Sequence, residues 1–157
     1  MNYNNNFEVD LAIKKMEHFC AYQERCHQDV ENKLRSMNIG FQIKENVMLH
    51  LLENDFLNEE RFAKTFARGK FRIKKWGKER IIRELKFKLI SEYNIISALN
   101  EIDENQYYTT FNELAIKRLS ELKELNKYKK RKKLADYLLY RGWETDMVYK
   151  KIVELIP

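Results

Sequence analysis

Apolar residues along the chain recur at spacings of three and four, and that pattern is itself repeated. Ala12, Ala63 and Ala115 each open a stretch in which Val30, Ile81 and Leu134 follow after 18, 18 and 19 residues. Leu34, Leu85 and Leu138 come four later, and Ile39, Ile90 and Trp143 five after those. Met48, Leu99 and Ile152 stand fourteen beyond the leucines, with Leu51, Ile102 and Leu155 three further on. One unit therefore returns about every fifty-two residues. Inside each unit the spacing is that of a helix burying one stripe, and it predicts a long first helix, a shorter second and a closing third.

The fold class that follows is all-α: an elongated, curved array of three tandem three-helix repeats, about nine helices in total. Its expected boundaries are a flexible N-terminal tail over 1–8, repeat 1 over 9–54, repeat 2 over 55–103 and repeat 3 over 104–157. Local chemistry agrees at several ends. Asn58 followed by Glu59 and Glu60 reads as a cap with an acidic first turn, and Asp103 stands three before Gln106 as a capping pair. Ser91 and Thr145 are placed to start third helices, while Gly40 and Gly142 fall where helices must stop, Gly142 in a left-handed turn. On the helix from about Asn58 to Lys74, the spacing turns Phe62, Phe66 and Ile73 inward. A three-helix unit of this size is marginal alone, so neighbours are expected to share contacts, as stacked repeats do. Such arrays present long surfaces that suit a filament or strand better than a small metabolite.

Composition removes other classes. Four Gly and a single proline, Pro157, leave little punctuation for a many-stranded protein. Apolar residues at 44% with charge at 34% describe a folded chain with a heavily ionised exterior. The opening "MNYNNNFEVD" has neither a basic start nor an apolar run, and no later segment approaches the roughly 20 apolar residues of a bilayer span. A cytoplasmic protein, monomeric and without membrane contact, is expected. Cys20 and Cys26 neighbour His18 and His27, but no second pair follows at zinc spacing, so reduced, half-buried thiols are expected, with no metal and no cofactor. "GKFRIKKWGK" lacks the spacing of a phosphate-binding loop, and His18, His27 and His50 have no partner motif. The chain does not read as an enzyme.

Charge is distributed unevenly. Residues 66–88 hold ten basic and two acidic side chains, and residues 117–133 hold nine and two. Together they contribute +15 to a total of +6, which leaves −9 on the rest. In the first stretch Arg68, Lys70, Arg72, Lys74, Lys75, Lys78, Arg80 and Arg83 surround one helix-to-helix turn and are the candidate binding residues for an anionic partner. Lys127, Lys129, Lys130, Arg131, Lys132 and Lys133 form a secondary patch, read either as a binding feature or as a connecting corner. Lysines that only solubilise a helical face are the alternative, although solubility is ordinarily achieved with interspersed signs. Phe71 and Trp76 at this place suit either base stacking or the core.

Leu57-Asn58-Glu59-Glu60-Arg61-Phe62-Ala63, with Gly77, Ile81, Leu85 and Leu89-Ile90, resembles the central repeat of the RecX regulatory proteins. "AYQERCHQDVENKL" resembles that family's opening repeat, and the third unit follows more loosely. The resemblance spans nearly the whole chain from about residue 10. It implies a modulator that binds the filament of the recombinase RecA on DNA, single- or double-stranded, and restrains its ATPase, strand-exchange and SOS-promoting activities by occupancy, without catalysis. It also implies that Arg61-Phe62-Ala63 is structural. A general nucleic-acid-binding helical module with no recombinase partner is the alternative reading. Two departures stand out: Leu89 occupies a position where the family often has glycine, and Asn58 one where an acidic residue is usual.

Overall fold

The computed structural model describes residues 3–157, and among them the chain forms nine helices and no strand. Unit 1 contains α1 (Tyr3–Tyr22), α2 (His27–Ser36) and α3 (Phe41–Glu53); unit 2 contains α4 (Glu59–Lys74), α5 (Lys78–Phe87) and α6 (Glu92–Leu99); unit 3 contains α7 (Glu104–Glu121), α8 (Lys127–Tyr140) and α9 (Thr145–Leu155). Helix α1 takes in residues 3–8, which the pattern assigned to a tail; Phe7 and Glu8 are exposed there, so no apolar stripe announces these turns. Residues 1 and 2 of that segment lie outside the described residues.

The capping residues act largely as the sequence suggests. The side chains of Asn58, Ser91 and Asp103 accept from the backbone N–H groups of Arg61, Asn94 and Gln106. Thr145 is the first residue of α9, whose cap is Glu144 without a side-chain bond. Gly40 does not stop a helix: it caps the start of α3 in extended backbone, and Asn38, at φ 57°, makes the left-handed turn after α2.

The repeat explains how each second helix ends. Asn38, Leu89 and Gly142 are left-handed at equivalent positions, with φ of 57°, 61° and 88°. After α5, Leu89 N–H donates to Lys86 O (2.9 Å) and Ile90 N–H to Leu85 O (3.1 Å); after α8, Gly142 donates to Leu139 O (2.9 Å) and Trp143 to Leu138 O (3.2 Å). These paired bonds close a helix C-terminus and bring the following apolar residue back onto the last turn. The leucine-to-Ile/Trp interval of five read from the sequence is this closure. Leu89 keeps the backbone that a glycine would supply, while its side chain is 75% exposed and gains little from burial. Replacing Leu89 with Gly is therefore expected to stabilise the protein by about 0.5–1 kcal/mol, read as a higher denaturant midpoint at unchanged slope.

Packing divides the molecule into two cores. Ala12, Met16, Val30, Leu34, Val47 and Leu51 build one inside unit 1. The other is continuous through units 2 and 3, where Tyr107 lies 5.8 Å from the Phe71 ring and 4.7 Å from Trp143. Among the described residues, only Cys26 of unit 1 belongs to this second core. Within units 1 and 2 the first helix packs on the third; in unit 3, α9 leans chiefly on α8. Small residues account for the difference. Ala63, Ala67 and Ala98 let α4 and α6 approach closely, whereas the equivalents in unit 3 are Ala115, Leu119 and Lys151. The surface of 10543 Å² exceeds the about 8,400 Å² of a compact monomer of this mass, as an elongated array requires.

Candidate functional site

The α4–α5 turn is built to be rigid. Lys75 ends α4 in left-handed backbone (φ 58°), and Gly77 caps α5. Three successive N–H groups at the start of α5 are all taken by unit 3: Gly77 donates to Arg141 O (2.8 Å), Lys78 to the Tyr107 hydroxyl (2.9 Å) and Glu79 to Gly142 O (3.0 Å). Tyr107 passes its own proton on, donating to the Glu144 carboxylate at 2.6 Å. Burial first, and then that carboxylate, push its phenol far above the ordinary range, so it is a neutral structural bridge.

On this frame the eight candidate cations separate into two sets. Arg68 pairs with Glu101 (3.3 Å), the end of a ladder in which Lys64 bridges Glu60 (3.2 Å) and Glu101 (3.6 Å). The Lys64 bond, then Ser97, hold Glu60 below the usual carboxylate range. Lys78 pairs with Glu104 (3.2 Å) and lies over the Tyr107 ring, and Lys70 rests 5.0 Å from the Trp76 centroid. Arg80 is stacked between Trp76 (4.1 Å) and Tyr140 (4.8 Å) and donates to Tyr140 O, with its Nε buried and unbonded. These four are engaged inside the molecule. Arg72, Lys74, Lys75 and Arg83 are exposed, with no ion pair among the described residues.

The neighbouring aromatics are not open platforms. Phe71 is buried against Tyr107, and Trp76 is half-buried beneath Arg80 and Lys70. Ile73, expected inside, is 78% exposed: it lies on the same outer face as Arg72 and Lys74, while Phe62, Ala63, Ala67 and Phe71 form the buried stripe.

The secondary patch is not a corner but the first two turns of α8, capped by Asn126. Arg131 donates to Ile156 O (2.8 Å), Lys132 pairs with Asp136 (2.7 Å) and Lys133 with Glu124 (3.1 Å). Lys127, Lys129 and Lys130 have no such partner among the described residues and sit at the positive end of the helix dipole without an acidic residue in the first turn.

Elsewhere the candidates have structural environments. His27 meets Glu59 and His50 meets Glu17, each at 2.7 Å. Cys20 and Cys26 are fully rather than half buried, and burial raises both thiols above their ordinary value. No group of three potential metal ligands occurs among the described residues, and no helix there is long and apolar enough to cross a membrane. Sequence reasoning missed a cleft of about 430 Å³ where the end of α4 faces α7, lined by Phe71, Arg72, Lys75, Asn105, Gln106, Thr109 and Thr110. Its two halves are some thirty residues apart, and no spacing in "ENQYYTT" marks it.

Residues 58–99 match the family model for the second three-helix domain of RecX, and residues 104–152 match that for the third; together these span more than half of the chain. Regulatory protein RecX of Bacillus cytotoxicus is 26% identical over 150 residues, covering 96% of this chain and 56% of the relative. That of Clostridium acetobutylicum is 29% identical over 135 residues, covering 83% and 62%. The chain thus spans little more than half the length of these curated relatives. The crystal structure of RecX from Lactobacillus salivarius shares the fold with a TM-score of 0.80 at 21% identity, covering 96% of this chain and 97% of that one. A second crystal structure of regulatory protein RecX gives 0.81 at 20% identity, covering 93% and 73%.

Proposed function

The chain belongs to the RecX family of regulatory proteins, and on that premise we propose that it binds the filament of the recombinase RecA on DNA and restrains it by occupancy. Bound across neighbouring subunits, it would hinder the rearrangements that ATP hydrolysis, strand exchange and SOS induction require. It performs no chemistry of its own, acts as a monomer in the cytoplasm and needs no cofactor.

The supporting observation is the contrast within the basic stretch. Half of its eight candidate cations are neutralised or stacked internally, yet Arg72, Lys74 and Lys75 are left bare together at one helix end, with Arg83 beyond them on α5. That end is fixed by backbone hydrogen bonds to unit 3, so the charges are held in place rather than dispersed on a mobile loop. Pre-positioned cations of this kind steer and anchor a polyanionic assembly.

The test is charge reversal at Arg72, Lys74 and Lys75 to Glu, assayed as inhibition of recombinase ATP hydrolysis on single-stranded DNA. The concentration for half-inhibition is expected to rise about tenfold or more, or about 1.4 kcal/mol, with thermal unfolding nearly unchanged because exposed charges contribute little to stability. Normal inhibition by a normally folded variant would reject the site, and no inhibition by the wild-type chain at low salt would reject the function.

A further inference from the structure

We propose that the cleft between α1 and α2 in unit 1 binds a free nucleoside triphosphate, its phosphates on four cations and its base on Tyr22. This goes beyond the filament reading and rests on different residues.

Residues 14–33 hold four cations and four carboxylates, so nothing in the sequence marks them as basic. The fold sorts the two signs. Glu17 turns to His50 (2.7 Å), Glu24 to Arg61 (2.7 Å) and Asp29 to Lys88 (3.5 Å), while Glu31 lines a separate cleft between α2 and α3. All four cations, Lys14, Lys15, Arg25 and Lys33, are left lining one cleft of about 610 Å³ that contains no carboxylate. None of the four has an ion pair among the described residues. An unneutralised field of one sign is therefore concentrated in a space of small-ligand size.

The cleft is also pre-organised. Arg25 donates its Nε–H to Phe19 O (3.0 Å) and lies 3.8 Å over the Phe19 ring, which holds the guanidinium in place. Its terminal amino groups have no bond among the described residues and are available to phosphate oxygens. Phe19 is covered by this stacking, but Tyr22, in the same lining, is 78% exposed and offers an open ring to a base. A nucleoside triphosphate carries roughly four negative charges near neutral pH, about one on each inner phosphate and close to two on the last. That equals the cation count and places the charges together. A strand brings one charge per nucleotide and an acidic peptide one per residue, so neither concentrates four in this volume, and a peptide carboxylate has no ring for Tyr22.

The experiment is isothermal titration calorimetry of the full chain with ATP, inorganic tripolyphosphate and adenosine, without magnesium, DNA or recombinase. Tripolyphosphate is expected to bind about tenfold more weakly than ATP because it lacks the stacked base, and adenosine not measurably. Tyr22→Ala is expected to weaken ATP about tenfold and leave tripolyphosphate unchanged. Lys15→Gln with Lys33→Gln is expected to weaken both about tenfold or more, and thermal unfolding should barely move because both lysines are exposed. Arg72→Gln with Lys75→Asn, which removes the same charge from unit 2, is expected to change ATP affinity less than about twofold.

Equal binding of ATP and tripolyphosphate, or normal ATP binding by Tyr22→Ala, would overturn the nucleotide assignment. Equal losses from the unit 1 and unit 2 pairs would overturn the cleft in favour of a diffuse field. So would an oligothymidylate that displaces ATP at equal phosphate concentration, since the cleft would then be a strand site.

Discussion

Replacing Gly142 with Ala is expected to cost about 2–5 kcal/mol, separating units 2 and 3 before either cortex of helices melts. Two effects add. At φ +88° any side chain is strained, and a Cβ would overlap the Arg80 N, Cα and Cβ, which the main chain holds in place and which cannot swing aside. Gly77 faces the same joint from the other side, where a Cβ would meet Gly142 O. The two glycines let the α4–α5 turn touch the α8–α9 turn backbone to backbone, which is why Gly77 and Glu79 N–H find acceptors in unit 3. Denaturant unfolding followed by tryptophan fluorescence reads the loss, since Trp143 is buried beside the joint. Gly69→Ala is the control: it lies inside α4 with nothing within 4 Å of a new Cβ, and should stabilise by about 0.5–1 kcal/mol. A small effect at Gly142 would mean that the joint opens in solution.

That joint shows what the sequence could and could not reveal. The repeat positions were legible because burying one stripe of each helix forces a spacing, and every residue of the set, from Ala12 to Leu155, is buried or half-buried. The caps at Asn58, Ser91 and Asp103 were legible because they act within three residues. Contacts between units leave no such local signature. Nothing in "WGK" announces that the Gly77 N–H bonds to Arg141, more than sixty positions later, or that Trp76 serves as a shelf for Arg80. Ile73 failed for a related reason: its spacing from Phe62 and Phe66 fits a stripe, but the stripe had already turned away to Phe71.

The candidate site was legible as composition and not as geometry. Ten cations in one stretch signalled a positive field, yet charge counting treats Arg72 and Arg80 alike. Only the fold separates them, because Glu101, Glu104, Trp76 and Tyr140 come from other elements to engage Arg68, Lys78 and Arg80. The polar half of the cleft was invisible for the same reason: Asn105, Gln106, Thr109 and Thr110 become the wall of a cleft only when α4 ends opposite them. The third unit diverges where Lys151 replaces the alanine that seats α6 on α4, and its helices then pair differently without leaving the repeat.

The second large effect is expected at the other joint, from Arg61→Leu. Unit 1 has its own core, and its attachment to unit 2 is mostly ionic: Arg61 bonds Glu24 (2.7 Å), Asp55 (2.9 Å) and the Asp55 carbonyl (2.9 Å), while Glu59 receives both the N–H and the ring of His27, and Lys88 reaches Asp29 (3.5 Å). Removing the guanidinium leaves Glu24, one oxygen of which is buried and already unbonded, without compensation. The attachment should weaken by about 2 kcal/mol, a value reduced from that of buried charged bonds because Arg61 is partly exposed. Helicity should survive, since neither core loses an apolar group, but hydrogen exchange and proteolysis should accelerate between Glu53 and Glu59. Acid should mimic the substitution in the wild type. The hydrogen bond from Asn58, then the Arg61 charge, hold the Asp55 carboxyl below its ordinary 3.8. A group depressed in this way contributes above its ordinary value and loses that contribution as pH falls through the lower folded value. The wild-type linker is thus expected to stay protected at about pH 5 and to open only below 3.8, whereas the Arg61→Leu linker is open at both. Equal protection in the two proteins across that range would show that apolar packing at Cys26, not Arg61, fastens unit 1.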